Sequence, residues 1–114
     1  MLLLTGLTAA LLILDENRQE LRKLALTDAL TGIYNRHGFD KHVTVYMKKY
    51  PEKHCVGVQF DIDDFKLIND IYGHASGDKA LQILAESMRK FFPDHAVLGR
   101  NGGDEFCIFL PDLS

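Results

Sequence analysis

A surplus of basic charge is the first thing this sequence lacks. Its 114 residues carry 13 basic and 16 acidic side chains, a net charge of −3. There is therefore no basic field of the kind that draws in nucleic acid or anionic lipid, and any phosphate ligand must be held by local chemistry. Cysteine is scarce. Cys55 and Cys107 lie in separate apolar, strand-like runs, with no C-x-x-C pair and no histidine at zinc spacing, so both read as reduced core thiols. An apolar run of bilayer length is also missing. Leu2 to Leu14 (LLLTGLTAALLIL) is uncharged, but thirteen residues at ~1.5 Å of rise span only ~20 Å of a ~30 Å hydrocarbon core. The run lacks the basic n-region and small-residue cleavage site of a signal peptide. It is read as the inner end of a transmembrane helix that begins upstream, with a buried first helix as the alternative. Arg18, Arg22 and Lys23 suit a cytoplasmic flank, which implies a cytoplasmic domain at the inner face of the membrane. No repeat or low-complexity segment appears. What remains, 46% hydrophobic and 25% charged, is the composition of one globular domain.

Residues 15–27 (DENRQELRKLALT) predict a charged helix with Leu14, Leu21 and Leu24 at heptad-like spacing, a stub able to pair with a copy of itself. Gly32 breaks that pattern. Asn35 can then cap a helix whose Phe39, Val43, Tyr46, Met47 and Tyr50 share a face, and Pro51 stops it. The apolar run from His54 to Asp63 predicts a strand covered on both faces, with acids at its open C-terminal end. A short helix follows through Phe65, Ile68, Ile71 and Tyr72, closed by Gly73 as a left-handed cap. After a break at Gly77–Asp78, Leu81, Leu84, Ala85, Met88, Phe91 and Phe92 mark a second amphipathic helix, stopped by Pro93. Residues 96–110 predict two strands about a turn at Gly102–Gly103. The pattern is α+β, with helices packed on a largely antiparallel sheet.

Two acidic groups stand out. Asp61 and Asp63 sit one side-chain period apart at a strand end, and Asp104 and Glu105 sit at the hairpin turn. If the hairpin packs beside the strand, these carboxylates converge. Mg²⁺ is commonly held by a few carboxylates together with water and substrate phosphates, so convergence points to phosphoryl or nucleotidyl transfer. The plain alternative is helix capping by Asp63 or Asp64. A calcium loop fails, because Lys66 stands where its glycine should be and Tyr72 where its bidentate glutamate should be.

Gly102-Gly103-Asp104-Glu105-Phe106 spells the signature that names the GGDEF family of diguanylate cyclases, a match expected by chance with odds on the order of 10⁻⁴. The run from Asp61 to His74 (DIDDFKLINDIYGH), continued by Gly77-Asp78, resembles that family's nucleotide-binding stretch. Asp28 to Arg36 (DALTGIYNR) resembles its opening motif. The resemblance covers residues 28–114. It implies a nucleotidyl-cyclase or palm-like sheet with helices packed on it, incomplete at its C-terminus. Residues 1–14 and 15–27 then form an apolar stub and a charged signalling-type helix ahead of a partial GGDEF domain.

The resemblance further implies Asp61, the Ile62 carbonyl and Asp104 as magnesium ligands. Glu105 becomes a second carboxylate beside metal and phosphates, and Asp104, Glu105 and Lys66 the catalytic set. Asn69 and Asp78 match the guanine-reading pair, and adenine would leave Asp78 unpaired. Lys66 and the N–H groups near Asp64 and Phe65 suit the β- and γ-phosphates. Gly102 and Gly103 leave room for the nucleotide. Arg100 is read as an ion-pair former or substrate contact, His74 as a helix-end hydrogen bonder, and Asp28 with Arg36 as a structural pair. The implied reaction condenses two GTP into cyclic di-GMP with release of pyrophosphate, on a homodimer joined through the domain and the N-terminal helix. The alternative is an inactive remnant serving as a GTP-binding or dimerising regulatory module. Two departures from the pattern stand out. Pro93 and Ala96 occupy the positions of the family's inhibitory Arg-x-x-Asp element, so product inhibition there is expected to be absent. Asp64 stands where histidine is frequent. An incomplete sheet should also expose an edge and an apolar face.

Overall fold

The computed structural model describes residues 2–112, the side chains of residues 2–4 and of Leu24 excepted. Leu24 of the heptad-like spacing and Leu2 to Leu4 of the apolar run therefore lie, as side chains, outside the described residues. One uninterrupted helix, α1 (Leu2–Leu26), carries both the apolar and the charged segment. From Thr5 to Lys23 its side chains are exposed, Leu7, Leu11, Leu14 and Leu21 among them. No helix among the described residues is long and apolar enough to cross a membrane.

The remainder is a sheet between helices. The elements are α2 (Arg36–Lys49), β1 (Cys55–Asp61), α3 (Phe65–Tyr72), α4 (His74–Phe91), β2 (Val97–Gly102) and β3 (Glu105–Pro111). The three strands run in the order β1-β3-β2, and both pairs are antiparallel. Side chains alternate across β3. Phe106 and Ile108 turn toward α4 and form the core with Ile33, Leu81, Ala85 and Met88, while Cys107 and Phe109 turn toward α2. The Tyr46 ring meets Phe109 edge-on at 5.6 Å. Phe106 and Leu81 are fully enclosed; burial of a side chain of this kind contributes roughly 1.5–3 kcal/mol. Asn35 caps α2 by accepting from the Gly38 N–H at 2.8 Å. The helix ends at Lys49, with Tyr50 as its C-cap, two residues before Pro51.

Several expectations need correction. β1 is not covered on both faces: it pairs only with β3, and Val56 (56% exposed) and Val58 are open, as is Cys55, which is therefore no core thiol. Only Phe60, at its acidic end, packs against the core. The cause is the position of α4, which covers β3 rather than the edge strand. The expected exposed edge and apolar surface are found at β1. Met47, Tyr50, Ile71, Tyr72 and Phe91 lie on the predicted helix faces yet are exposed. Gly73 has positive φ (+89°) but an extended ψ of 163°, so it joins two helices instead of closing one in the left-handed form. No break separates Gly77–Asp78 from the second helix, because α4 starts at His74 and includes them.

Phe106→Ala should lower the unfolding free energy by about 3–5 kcal/mol. Phe91→Ala, at 80% exposure, should stay within about 0.5 kcal/mol of wild type. Urea titrations followed by circular dichroism would compare them, and equal losses would contradict this placement of the core.

Candidate functional site

Strand register brings together two of the four acids, Asp61 and Glu105. Phe60 pairs with Phe106 and Asp61 with Glu105. The Ile62 N–H donates to the Asp104 carbonyl at 3.3 Å, which carries the pairing to the turn. The Phe60 and Phe106 rings stack at 5.8 Å on the core face. Asp61 and Glu105 consequently point the other way and line a hollow of about 290 Å³ with Gln59. Like charges face each other there, an arrangement unfavourable without a cation. Among the described residues no three His, Cys, Asp or Glu side chains form a ready-made cage. Asp61 and Glu105 are still hard-oxygen donors of the kind Mg²⁺ takes alongside phosphate and water, while the Asp104 side chain does not line their hollow.

The turn falls one residue later than expected. Gly102 pairs with Glu105, so Gly103 and Asp104 are its central residues, and a register shift intervenes between Arg100 and Gly102. Positive φ at Gly102 (+120°) and Gly103 (+53°) explains glycine there, and the space around both is open. Asp63 is not on the strand: β1 ends at Asp61, so Asp63 falls in the turn before α3 and shares no strand face with it.

Asp64 occupies the N-cap of α3 in the left-handed region (φ +57°) and makes no side-chain cap bond. The capping alternative for Asp64 thus fails, and its carboxylate does not compete for the first N–H groups of α3. Lys66 is exposed one residue into the helix. The Phe65 side chain packs against the core, so only its backbone can face a ligand. Asn69, near the end of α3, has a buried side-chain oxygen with no hydrogen-bond partner. Its amide lies against Gly77 in the first turns of α4, next to the exposed Asp78. The two guanine-reading candidates are thereby close together.

Arg100 is an ion-pair former, and its partner is Asp28. The guanidinium donates to both Asp28 oxygens at 3.0 and 3.1 Å and, through Nε, to the Gly103 carbonyl at 2.8 Å. The Asp28–Arg36 pair is not formed. Asp28 turns inward beside β2, to which the opening motif is bridged at Tyr34–Gly99, whereas Arg36 faces solvent and lies 3.9 Å from Asp40. Burial raises the Asp28 pKa, but hydrogen bonds from Thr31 and the Arg100 guanidinium outweigh it and hold the carboxyl below its ordinary range. Thr31 was not singled out from sequence, although the Asp-x-x-Thr spacing is the signal: its N–H and hydroxyl donate to Asp28 at 3.0 and 2.6 Å. Arg89 was also missed. It donates to the Thr31 carbonyl at 3.0 Å. Burial pushes the Cys107 thiol up to about 11, which leaves it un-ionised. A separate hollow of about 430 Å³ opens between the Thr27–Tyr34 loop and residues 92–96, where Pro93 and Ala96 leave it without the Arg-x-x-Asp pair.

A family model described as "Diguanylate cyclase, GGDEF domain" matches residues 25–114. A diguanylate cyclase of Vibrio cholerae is 38% identical over 109 residues, covering 94% of this chain and 34% of that protein. The cyclic di-GMP phosphodiesterase NbdA of Pseudomonas aeruginosa is 39% identical over 103 residues, 89% of this chain and 13% of that one. The crystal structure of the coiled coil and GGDEF domain of DgcB from Caulobacter crescentus, in complex with c-di-GMP, superposes with a TM-score of 0.84 at 30% identity. It covers 97% of this chain and 59% of that one. The chain thus spans about a third or less of the curated relatives' length.

Asp28→Asn should lower stability at pH 7 by about 2 kcal/mol, the scale of hydrogen bonds to a charged group. Because the folded carboxyl titrates below its ordinary value of 3.8, its contribution is complete above that value and is lost as pH falls through the lower folded value. Wild type and mutant should therefore converge toward pH 2 in urea titrations. A gap that stays constant with pH would refute the charged clip.

Proposed function

The chain belongs to the GGDEF family of diguanylate cyclases, and from that premise we propose that it binds GTP with Mg²⁺ and contributes one half of a cyclic di-GMP synthase. The observation that carries this reading is Asp61 opposite Glu105 in the strand register, with Ile62 bonded to Asp104. Asp61, the Ile62 carbonyl and Asp104 would hold the metal. When bound, Mg²⁺ supplies charge neutralisation for the phosphates and polarises the reacting phosphoryl group. Glu105 adds its carboxylate beside that group. Lys66 and the first N–H groups of α3, at Asp64 and Phe65, hold the β- and γ-phosphates, a point charge combined with a helix N-terminus. Gly102 and Gly103 keep the backbone clear for the nucleotide. Asn69 and Asp78 accept from guanine N1–H and N2–H₂, donors that adenine does not offer.

In the reaction the 3′-oxygen of one GTP bonds to the α-phosphorus of another. The bridge to the β-phosphate breaks and pyrophosphate leaves; a second such step closes the ring. One domain holds one GTP, so two must face each other. Support for a homodimer comes from α1, where Leu7, Leu14 and Leu21 are exposed at intervals of seven residues. The apolar segment of α1, residues 2–14, is read as the point of attachment at the inner face of a membrane, with the GTP site in the cytoplasm.

A second reading, a non-catalytic GTP-binding or dimerising module, has one observation in its favour: a relative of 39% identity is named as a phosphodiesterase, of which this chain matches 13%. Purified protein incubated with GTP and Mg²⁺ should yield cyclic di-GMP by chromatography. Asp104→Asn and Glu105→Gln should each lower the rate by at least about a hundredfold, the upper range seen when merely the outer shell of a metal site is altered. GTP binding without product would favour the regulatory module. Neither binding nor product would defeat both readings.

A further inference from the structure

Gly77 is the one glycine of the α3–α4 unit whose presence the backbone does not explain. It lies inside α4, outside the positive-φ set to which Gly73 belongs, and its N–H donates to the Gly73 carbonyl at 3.2 Å. Alanine would be the better helix former at such a place. Space is what forbids it. A Cβ at Gly77 would stand 1.8 Å from the Asn69 side-chain oxygen and 2.9 Å from its Cγ, with the Phe65 ring at 3.3 Å behind. Gly77 is itself buried. That same amide oxygen is buried and has no protein hydrogen-bond partner, a condition that is rare in native structures.

Resting on the GTP-binding reading above, we propose that Gly77 is a specificity-determining position. Its missing side chain lets the Asn69 carboxamide lie against the first turns of α4, one residue from Asp78, where both side chains can act on one base edge. Guanine offers both N1–H and a 2-amino group to such a pair; hypoxanthine offers N1–H alone. With a methyl group at 77, the Asn69 amide must rotate away, and the acceptor available to the 2-amino group goes with it. Asp78, one residue on and exposed, is untouched by that change. Gly77 thus acts through Asn69 as a positioning residue and touches no reacting atom.

The test is calorimetric titration of the chain with GTP and with ITP, in Mg²⁺, for wild type, Gly77→Ala, Asn69→Ala and the double variant. Wild type should bind GTP roughly tenfold or more tightly than ITP, the discrimination given by losing one partner of a buried polar group. Gly77→Ala should bring that ratio to within about threefold, mainly by weakening GTP. If Gly77→Ala folds poorly, Asn69→Ala in the same chain should restore its melting temperature, since the clash is with Asn69, while the ratio stays low. A Gly77→Ala protein that keeps the wild-type GTP-to-ITP ratio overturns the inference alone. So does a double variant that melts no higher than Gly77→Ala. Wild type that binds neither nucleotide overturns the functional reading, and this inference with it.

Discussion

The candidate site depends on the register between β1 and β3. Stacking Phe60 on Phe106 fixes which residues face the core, and the two-residue period then leaves Asp61 and Glu105 no choice but to face each other on the opposite side. A slip of one residue would carry an aspartate into the core and a phenylalanine into solvent, so the hydrophobic pattern enforces the register strongly. The aromatic pair contributes about 0.5–1.5 kcal/mol beyond its buried area, while opposed like charges oppose pairing by about 0.2–1 kcal/mol. The balance favours the register, and the core thus keeps two anions close that would otherwise move apart.

The hairpin is held from its other side by a polar clip. Arg100 joins the Gly103 carbonyl to Asp28, Asp28 is fixed by Thr31, and the Thr31 carbonyl receives Arg89 from α4. The same loop receives α1: the Asn35 N–H donates to the Leu26 carbonyl, and a Cβ on Gly38 would collide with that carbonyl. Signature turn, first helix and core helix therefore meet through one nine-residue motif. With side-chain exposures of 13% and 18%, the Arg100–Asp28 pair is removed enough from water for its charge-assisted hydrogen bonds to matter, which an exposed pair such as Arg36–Asp40 is not.

Much of this was legible in the chain itself. Leu81, Ala85 and Met88 at helical spacing, the Asn35 cap and the two strands around the signature all follow from local rules, and the structure keeps them. What the sequence misleads on is set by tertiary neighbours. Val56 and Val58 look like buried strand residues, yet burial depends on whether a helix lies above them, and α4 lies above β3 instead. Gly77 looked like a helix breaker because a glycine's helix penalty is visible in sequence, while the Asn69 amide pressed against it is not. Sequence proximity pairs Asp28 with Arg36, eight residues away; the partner it takes, Arg100, is brought in by the strand bridge at Tyr34 and Gly99. Asp63 was assigned to a strand that ends two residues earlier, a boundary that periodicity cannot locate.

The places where local rules fail are not scattered. Asp64 holds a left-handed conformation that a residue with a side chain seldom adopts, the start of α3 lacks a side-chain cap, Asn69 buries an acceptor without a donor, and Asp61 faces Glu105 across a strand pair. All four fall between residues 61 and 69 or directly across from them. In the core built on Phe106, Leu81 and Ala85, packing and pattern agree. Unsatisfied local chemistry gathered in one short stretch marks that stretch as the candidate ligand site. Each feature also calls for a complementary group: the opposed carboxylates for a cation, the open helix start for an anion, the buried amide oxygen for a donor. A magnesium-bound guanine nucleotide carries all three, whereas a bare metal ion would answer only the first and an inorganic phosphate only the second.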